Sequence, residues 1–286
     1  MAASIDRVGV VGAGLMGSGI AESVARAGLA VQVHEPTEPP LARSRERVKA
    51  SVARAIEGGK LDESEAEALR GRIAWTMDRG ELAGCDLVVE AVTEDPGVKA
   101  GVFAELDELL GEPAVIASNT SSIPIAQLAA ATRRRDRVVG LHFFSPVPVM
   151  RLVELVVGID TSDETVSRCE SFVERLGKRP IRTKDRSGFI VNMLLVPYLM
   201  AGVRMYEDGF ASREAIDEAM RLGCGHPMGP LELADFIGLD VLYAVCDSLF
   251  EEFKRPEYAP PPLMKRMVVS GHLGRKTGRG FYDYDG

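Results

Sequence analysis

Short apolar runs and longer amphipathic stretches alternate over most of the first part of the chain. Residues 8–11 form a compact apolar run. Glycines follow, and then a helical pattern over 14–27 that Gly28 closes as a helix-terminating glycine does. Residues 29–34 predict a second strand, 41–57 a long amphipathic helix, and 62–72 another helix. Leu87, Val88 and Val89 give 86–91 the unbroken apolar character of a strand covered on both faces. Segments 99–110, 114–117, 125–131 and 138–142 continue the alternation. Segments 152–157 and 165–176 follow, and 180–183 reads as a last strand. Strands alternating with helices of about 10–15 residues predict an α/β, Rossmann-type, doubly wound and mainly parallel sheet.

The texture changes near residue 186. From Phe189 onward the periodicity is helical, over 189–203, 215–222, 231–235 and 241–252, with no clear strand. Gly229-Pro230 is a good helix start, because proline in the first turn gives up an N–H that has no partner there. The expected organisation is a domain over 1–186 and a smaller all-α domain over 187–286. The helical faces carry more Leu, Met, Phe and Val than a domain of about 100 residues can bury alone, so a partner surface is expected. His226, beside Pro227, reads as part of a structural turn.

Composition narrows the function. Apolar residues make up 46% and charged residues 27%, ordinary for a globular protein. The formal net charge of −8 repels phosphate backbones and argues against nucleic acid. The longest apolar stretch, 189–203, contains Asn192 and Pro197 and is too short and interrupted to span a membrane. Cys85, Cys169, Cys224 and Cys246 form no CxxC pair and have no zinc-ligand spacing with histidine, so no metal is expected and reduced thiols suit a cytoplasmic protein.

Gly12-Ala13-Gly14-Leu15-Met16-Gly17 matches GxGxxG between a strand and a helix, the context a dinucleotide needs. Gly12 allows the tight turn, Gly14 the approach of the pyrophosphate, and Gly17 close helix–strand packing. The helix N-terminus supplies N–H groups and a positive dipole end. Glu35 follows the second strand; a carboxylate there accepts from both ribose hydroxyls and repels a 2′-phosphate, favouring NAD over NADP.

Two later segments follow strands at their ligand-facing ends: 117–122 (Ala-Ser-Asn-Thr-Ser-Ser) and 140–146 (Gly-Leu-His-Phe-Phe-Ser-Pro). Glu154 lies inside the apolar strand 152–157, where a carboxylate is costly unless paired. His142 is the partner the sequence offers. In such a pair Glu154 holds one ring nitrogen and stabilises the charged ring, while the other nitrogen takes a proton from an alcohol as hydride leaves its carbon. A core histidine with no chemistry is the alternative.

These residues are recognisable. GAGLMGSGIAES, ASNTSS, GLHFFSPVPVM, GFIVNMLLVPYL, HPMGPLELADFIGLD and LGRKTGRGFYDY together resemble the 3-hydroxyacyl-CoA dehydrogenase family, above all its single-function bacterial 3-hydroxybutyryl-CoA dehydrogenases, over essentially the whole chain. The resemblance implies His142 as base, Glu154 as its orienting acid, Ser121 as hydrogen-bond partner of the substrate's 3-oxygen, and Asn192 as an anchor near the thioester. It implies Glu94, Lys99, Asn119 and Lys276 near the nicotinamide nucleotide, and dimerisation through the helical domain. The substrate implied is a short-chain acyl-CoA thioester, with NAD as cofactor.

Two departures stand out. Ser145 replaces the family's usual asparagine beside the cofactor; it is shorter, so a direct contact becomes one through water. Glu57 and Gly58 stand where relatives often carry lysines for the CoA nucleotide. Arg54, Lys60 and Lys49 remain to meet its phosphates. This keeps open an acyl-carrier-protein thioester with the same chemistry. A dinucleotide-binding protein without catalysis is the reading from another class, opposed by the intact Ser121, His142, Glu154 and Asn192.

Overall fold

The structure is a computed structural model and describes residues 4–284. It divides into two compact units between Asp185 and Arg186. The first carries, in order, β1 (Arg7–Val11), α1 (Leu15–Arg26), β2 (Ala30–His34), α2 (Glu38–Glu57), α3 (Glu63–Gly71), β3 (Ile73–Thr76), β4 (Leu87–Glu90), α4 (Pro96–Leu109), β5 (Val115–Ser118), α5 (Ile125–Ala129), β6 (Val138–Phe143), β7 (Leu152–Val157), α6 (Asp163–Arg175) and β8 (Arg179–Lys184). The eight strands form one sheet in the order β3-β2-β1-β4-β5-β6-β7-β8. Every neighbouring pair is parallel except β6 with β7. The chain therefore has the α/β doubly wound architecture that its alternation predicts.

The central strands are apolar because helices cover both faces. Val10, Val33, Leu87, Val89, Val115 and Leu141 are all fully buried. Each such side chain contributes about 1.5–3 kcal/mol relative to an exposed one. Helix starts follow local chemistry. Asp62 and Glu65 make a capping box at α3, Asp95 accepts from Val98 N–H at α4, and Ser162 caps α6. Helix α2 begins at Glu38, ahead of the expected 41, because Pro39 and Pro40 fall in its first turn, where no N–H is needed. The strand Ile73–Thr76 has no counterpart among the predicted elements. It is a four-residue edge strand with only its two end residues buried, so it shows no alternation long enough to detect.

The boundary has a physical origin. The Asp185 carboxylate accepts the N–H groups of Ile125 and Ala126 at 2.7 Å and so belongs to the first unit. The Arg186 guanidinium lies 4.7 Å over the Phe253 ring and belongs to the second.

The second unit is helical: α7 (Val191–Glu207), α8 (Arg213–Cys224), α9 (Pro230–Ile237), α10 (Leu239–Phe253) and α11 (Pro262–Val269). Leu199, Met200, Leu231, Leu239, Leu249 and Met264 form its core. Helix α11 was not among the expected helices; a three-proline loop hides its start, and it has only eight residues. Two carboxylates on α8 and α9 organise the end of the chain. Asp217 accepts from Leu231 N–H, Glu232 N–H and the Tyr282 hydroxyl. Asp235 accepts from Phe281 N–H, Tyr282 N–H and the Tyr284 hydroxyl. A Cβ at Gly280 would come within 2.0 Å of an Asp235 oxygen, which is why glycine stands there. His226 is held by the Tyr198 hydroxyl at 3.0 Å, a structural contact within the same unit.

Candidate active site

The glycine turn after β1 is closed on two sides and open on the third. Gly12 has φ 104°, a left-handed value that favours glycine, and donates its N–H to His34 O at 2.9 Å. A Cβ there would lie 2.5 Å from Ala91 O, and one at Gly17 would lie 1.9 Å from Gly12 O. A Cβ at Gly14 would meet nothing within 4 Å. The open space thus lies over Gly14, in front of the N-terminus of α1, where a phosphate gains from free N–H groups and the helix dipole. Glu35 spans the turn, accepting from Ala13 N–H at 3.0 Å. Leu15 is largely exposed at the mouth, whereas Met16 packs against the core. These features fit a dinucleotide: a cradle for its phosphates, and beside it an acid placed for a ribose.

The second cluster arises where β6 and β7 run antiparallel, in a register that sets His142 opposite Glu154. His142 Nδ1 is 2.7 Å from Glu154 Oε2, and both residues are buried. A carboxylate accepts, so it pairs with the Nδ1–H form of the ring, and in the neutral imidazole that tautomer turns Nε2 into the acceptor. The Ser121 hydroxyl lies 3.1 Å from Nε2. The Phe144 ring packs against the imidazole, with centroids 4.5 Å apart. Asn119 accepts the Phe143 N–H at 2.9 Å and so ties the turn after β5 to the end of β6. Such an arrangement can take a proton at Nε2 while Glu154 stabilises the charged ring.

The turn over 119–122 hangs on Glu94. Its Oε1 accepts from the Thr120 hydroxyl at 2.5 Å, Ser121 N–H at 2.8 Å and Ser122 N–H at 3.2 Å. Burial works against its charged form, but Lys99 and these donors more than offset that and hold the carboxyl below its usual range. Lys99 is 1% exposed, and its ammonium lies 2.7 Å from Glu90 and 3.3 Å from Glu94. It stands inside the protein rather than at a surface that a nucleotide could touch. Glu90, fully buried at the end of β4, was absent from the residues singled out above. Its signal in the chain is weak, because Glu90 ends an apolar run whereas Glu154 lies inside one.

Arg54 lines a groove of about 330 Å³ with Arg47, Ser18, Ser51 and the 145–148 segment that contains Ser145. Lys60 lies exposed after the end of α2 and outside that groove's lining. In the second unit Asn192 sits half-buried in the first turn of α7, and Lys276 pairs with Asp240 at 2.5 Å. Among the described residues no group of three or more His, Cys, Asp or Glu is gathered as a metal site. Nor, among them, is any helix long and apolar enough to cross a membrane.

Known proteins share this architecture. A family model described as the NAD binding domain of 3-hydroxyacyl-CoA dehydrogenase matches residues 7–186, and one described as its C-terminal domain matches 188–284. A 3-hydroxybutyryl-CoA dehydrogenase of Mycobacterium tuberculosis is 54% identical, covering 99% of this chain and 100% of that protein. The human mitochondrial hydroxyacyl-coenzyme A dehydrogenase is 43% identical, covering 98% of this chain and 91% of that one. The crystal structure of an (S)-3-hydroxybutyryl-CoA dehydrogenase from Ralstonia eutropha superposes with a TM-score of 0.94 at 46% identity, over 99% of this chain and 100% of that one. The chain belongs to the 3-hydroxyacyl-CoA dehydrogenase family.

Proposed function

We propose that this protein is an NAD-dependent L-3-hydroxyacyl-CoA dehydrogenase acting reversibly on short acyl chains such as 3-hydroxybutyryl-CoA. The observation that carries the reading is the buried His142–Glu154 pair, whose outer ring nitrogen faces the Ser121 hydroxyl. Bound NAD supplies the hydride acceptor at the 3-carbon. His142 Nε2 takes the proton of the 3-hydroxyl, or returns it in reduction. Glu154 holds Nδ1–H and offsets the positive ring that forms. Ser121 orients the 3-oxygen toward Nε2.

The Gly12–Gly17 turn and Glu35 bind the dinucleotide, with Leu15, Met16, Asn119, Ser145, Glu94 and Lys99 completing its surroundings, Lys99 from within. Glu35 makes NAD the cofactor over NADP, since its carboxylate repels a 2′-phosphate. Arg54, with Lys60 as a more distant cation, meets the phosphates of the CoA. The reading includes a homodimer built through the helical unit, supported by exposed Leu194, Phe210, Leu222 and Val241 there. It includes a cytoplasmic setting, supported by four free cysteines.

The test follows NADH absorbance during reduction of acetoacetyl-CoA, of the same acyl group on a carrier protein, and with NADPH replacing NADH. Turnover of the CoA thioester with NADH is expected. Faster turnover of the carrier thioester would move the substrate to an acyl-carrier protein, and a preference for NADPH would remove the role given to Glu35.

A further inference from the structure

The ends of β4 and β5 meet at a buried carboxylate that the proposed reaction does not use. Glu90 Oε1 accepts from the Lys99 ammonium and from Val92 N–H, both at 2.7 Å. Its Oε2 accepts from the Ser118 hydroxyl at 2.6 Å. From there two routes run outward. Lys99 reaches Glu94, and Glu94 accepts from Thr120, Ser121 and Ser122. The Ser118 hydroxyl in turn accepts the Thr120 N–H at 3.1 Å. Both routes converge on the 119–122 turn, whose Ser121 hydroxyl stands 3.1 Å from His142 Nε2.

The electrostatics make Glu90 the anchor of this set. An ammonium in an apolar interior keeps its charge only beside a carboxylate. Lys99 has two, of which Glu90 is fully buried while the Glu94 side chain is 41% exposed. Without the charge on Glu90, Lys99 retains only the outer partner and is drawn toward solvent with it. The turn then loses the fixed carboxylate that its N–H groups point at.

We propose that Glu90 is a positioning residue: through Lys99 and Glu94 on one side and Ser118 on the other, it sets the Ser121 hydroxyl against the His142 ring. This rests on the roles proposed for Ser121 and His142. It assigns Lys99 an indirect part, exerted on the loop from inside.

The test is a double-mutant cycle of Glu90→Gln with Ser121→Ala. Glu90→Gln keeps shape and removes charge. The kcat for acetoacetyl-CoA is expected to fall roughly 10- to 100-fold with KM for the thioester little changed, the scale of a misplacement of about 1 Å. In the Ser121→Ala background, with no hydroxyl left to position, the same change is expected to cost less than about twofold. Equal losses in the two backgrounds would overturn the proposal, because general structural damage does not depend on Ser121. A second readout needs no turnover. In the unliganded protein the His142 Nε2 resonance of Glu90→Gln is expected to move toward its position in Ser121→Ala, and an unmoved resonance would overturn the proposal. If the wild type reduces no 3-oxoacyl thioester, the proposed function fails while the resonance still decides the positioning. Should Glu90→Gln not fold, Ser118→Ala replaces it, with an expected loss of roughly 3- to 10-fold and the same dependence on Ser121.

Discussion

Both units bury carboxylates, and they use them differently. In the sheet unit Glu154 and Glu90 face titratable side chains, the His142 ring and the Lys99 ammonium. In the helical unit Asp217 and Asp235 face backbone N–H groups and tyrosine hydroxyls. All four acids are at most 2% exposed, so burial alone does not separate chemistry from scaffolding. The partner does. A backbone amide cannot change its protonation, and the tyrosine hydroxyls give up theirs only in strong alkali, so near neutral pH Asp217 and Asp235 hold the chain end in place. An imidazole with its second nitrogen turned to a hydroxyl can carry a proton in and out.

Substitutions can break that comparison, the strongest first. Glu154→Gln removes the charge that stabilises the protonated ring. It is expected to lower kcat by roughly 10²-fold or more while the melting temperature moves little. Asp235→Ala should do the opposite. It strands three donors at a cost of roughly 3 kcal/mol, seen as a lower denaturation midpoint, while the folded fraction keeps the pH–rate profile of the wild type. If both substitutions lost activity and stability in equal measure, the distinction between the two kinds of buried acid would collapse.

Glu35→Ala is a smaller test. Relief of repulsion toward a 2′-phosphate is expected to raise the NADPH-to-NADH ratio of kcat/KM by about tenfold, worth ~1.4 kcal/mol. The smallest effect concerns alkali. Burial, and then the charge of Asp235, push the Tyr284 hydroxyl up to about 12 from an ordinary 10.0. A group whose folded value is raised contributes stability that is complete below its unfolded value and is lost as pH climbs through the folded one. Stability should therefore decline between about pH 10 and 12, and Tyr284→Phe should flatten that decline in chemical denaturation.

Much of this was legible in the chain because the relevant signals are local and costly to fake. A glycine turn between an apolar run and a helix has few other uses. An acid within Leu152–Val157 needs a partner, and one histidine ends the neighbouring strand. What stayed hidden depends on tertiary placement. Glu90 looks like an ordinary strand-end acid until Lys99 and Ser118 fold onto it from α4 and β5. Lys99, which the resemblance implies lies near the nicotinamide nucleotide, is among the largest fully buried side chains. The Ile73–Thr76 strand is too short to show alternation. The final LGRKTGRGFYDY segment gives no hint by itself that Asp217 and Asp235 will bind it.

In the proposed reaction His142 moves the proton of the 3-oxygen. The most direct measurement compares wild type and His142→Ala in reduction of acetoacetyl-CoA by NADH, with NADH binding measured separately by fluorescence. A loss of about 10²–10⁴ in kcat with NADH affinity retained is expected, the usual worth of a positioned base. Unchanged turnover in the His142→Ala protein would contradict it.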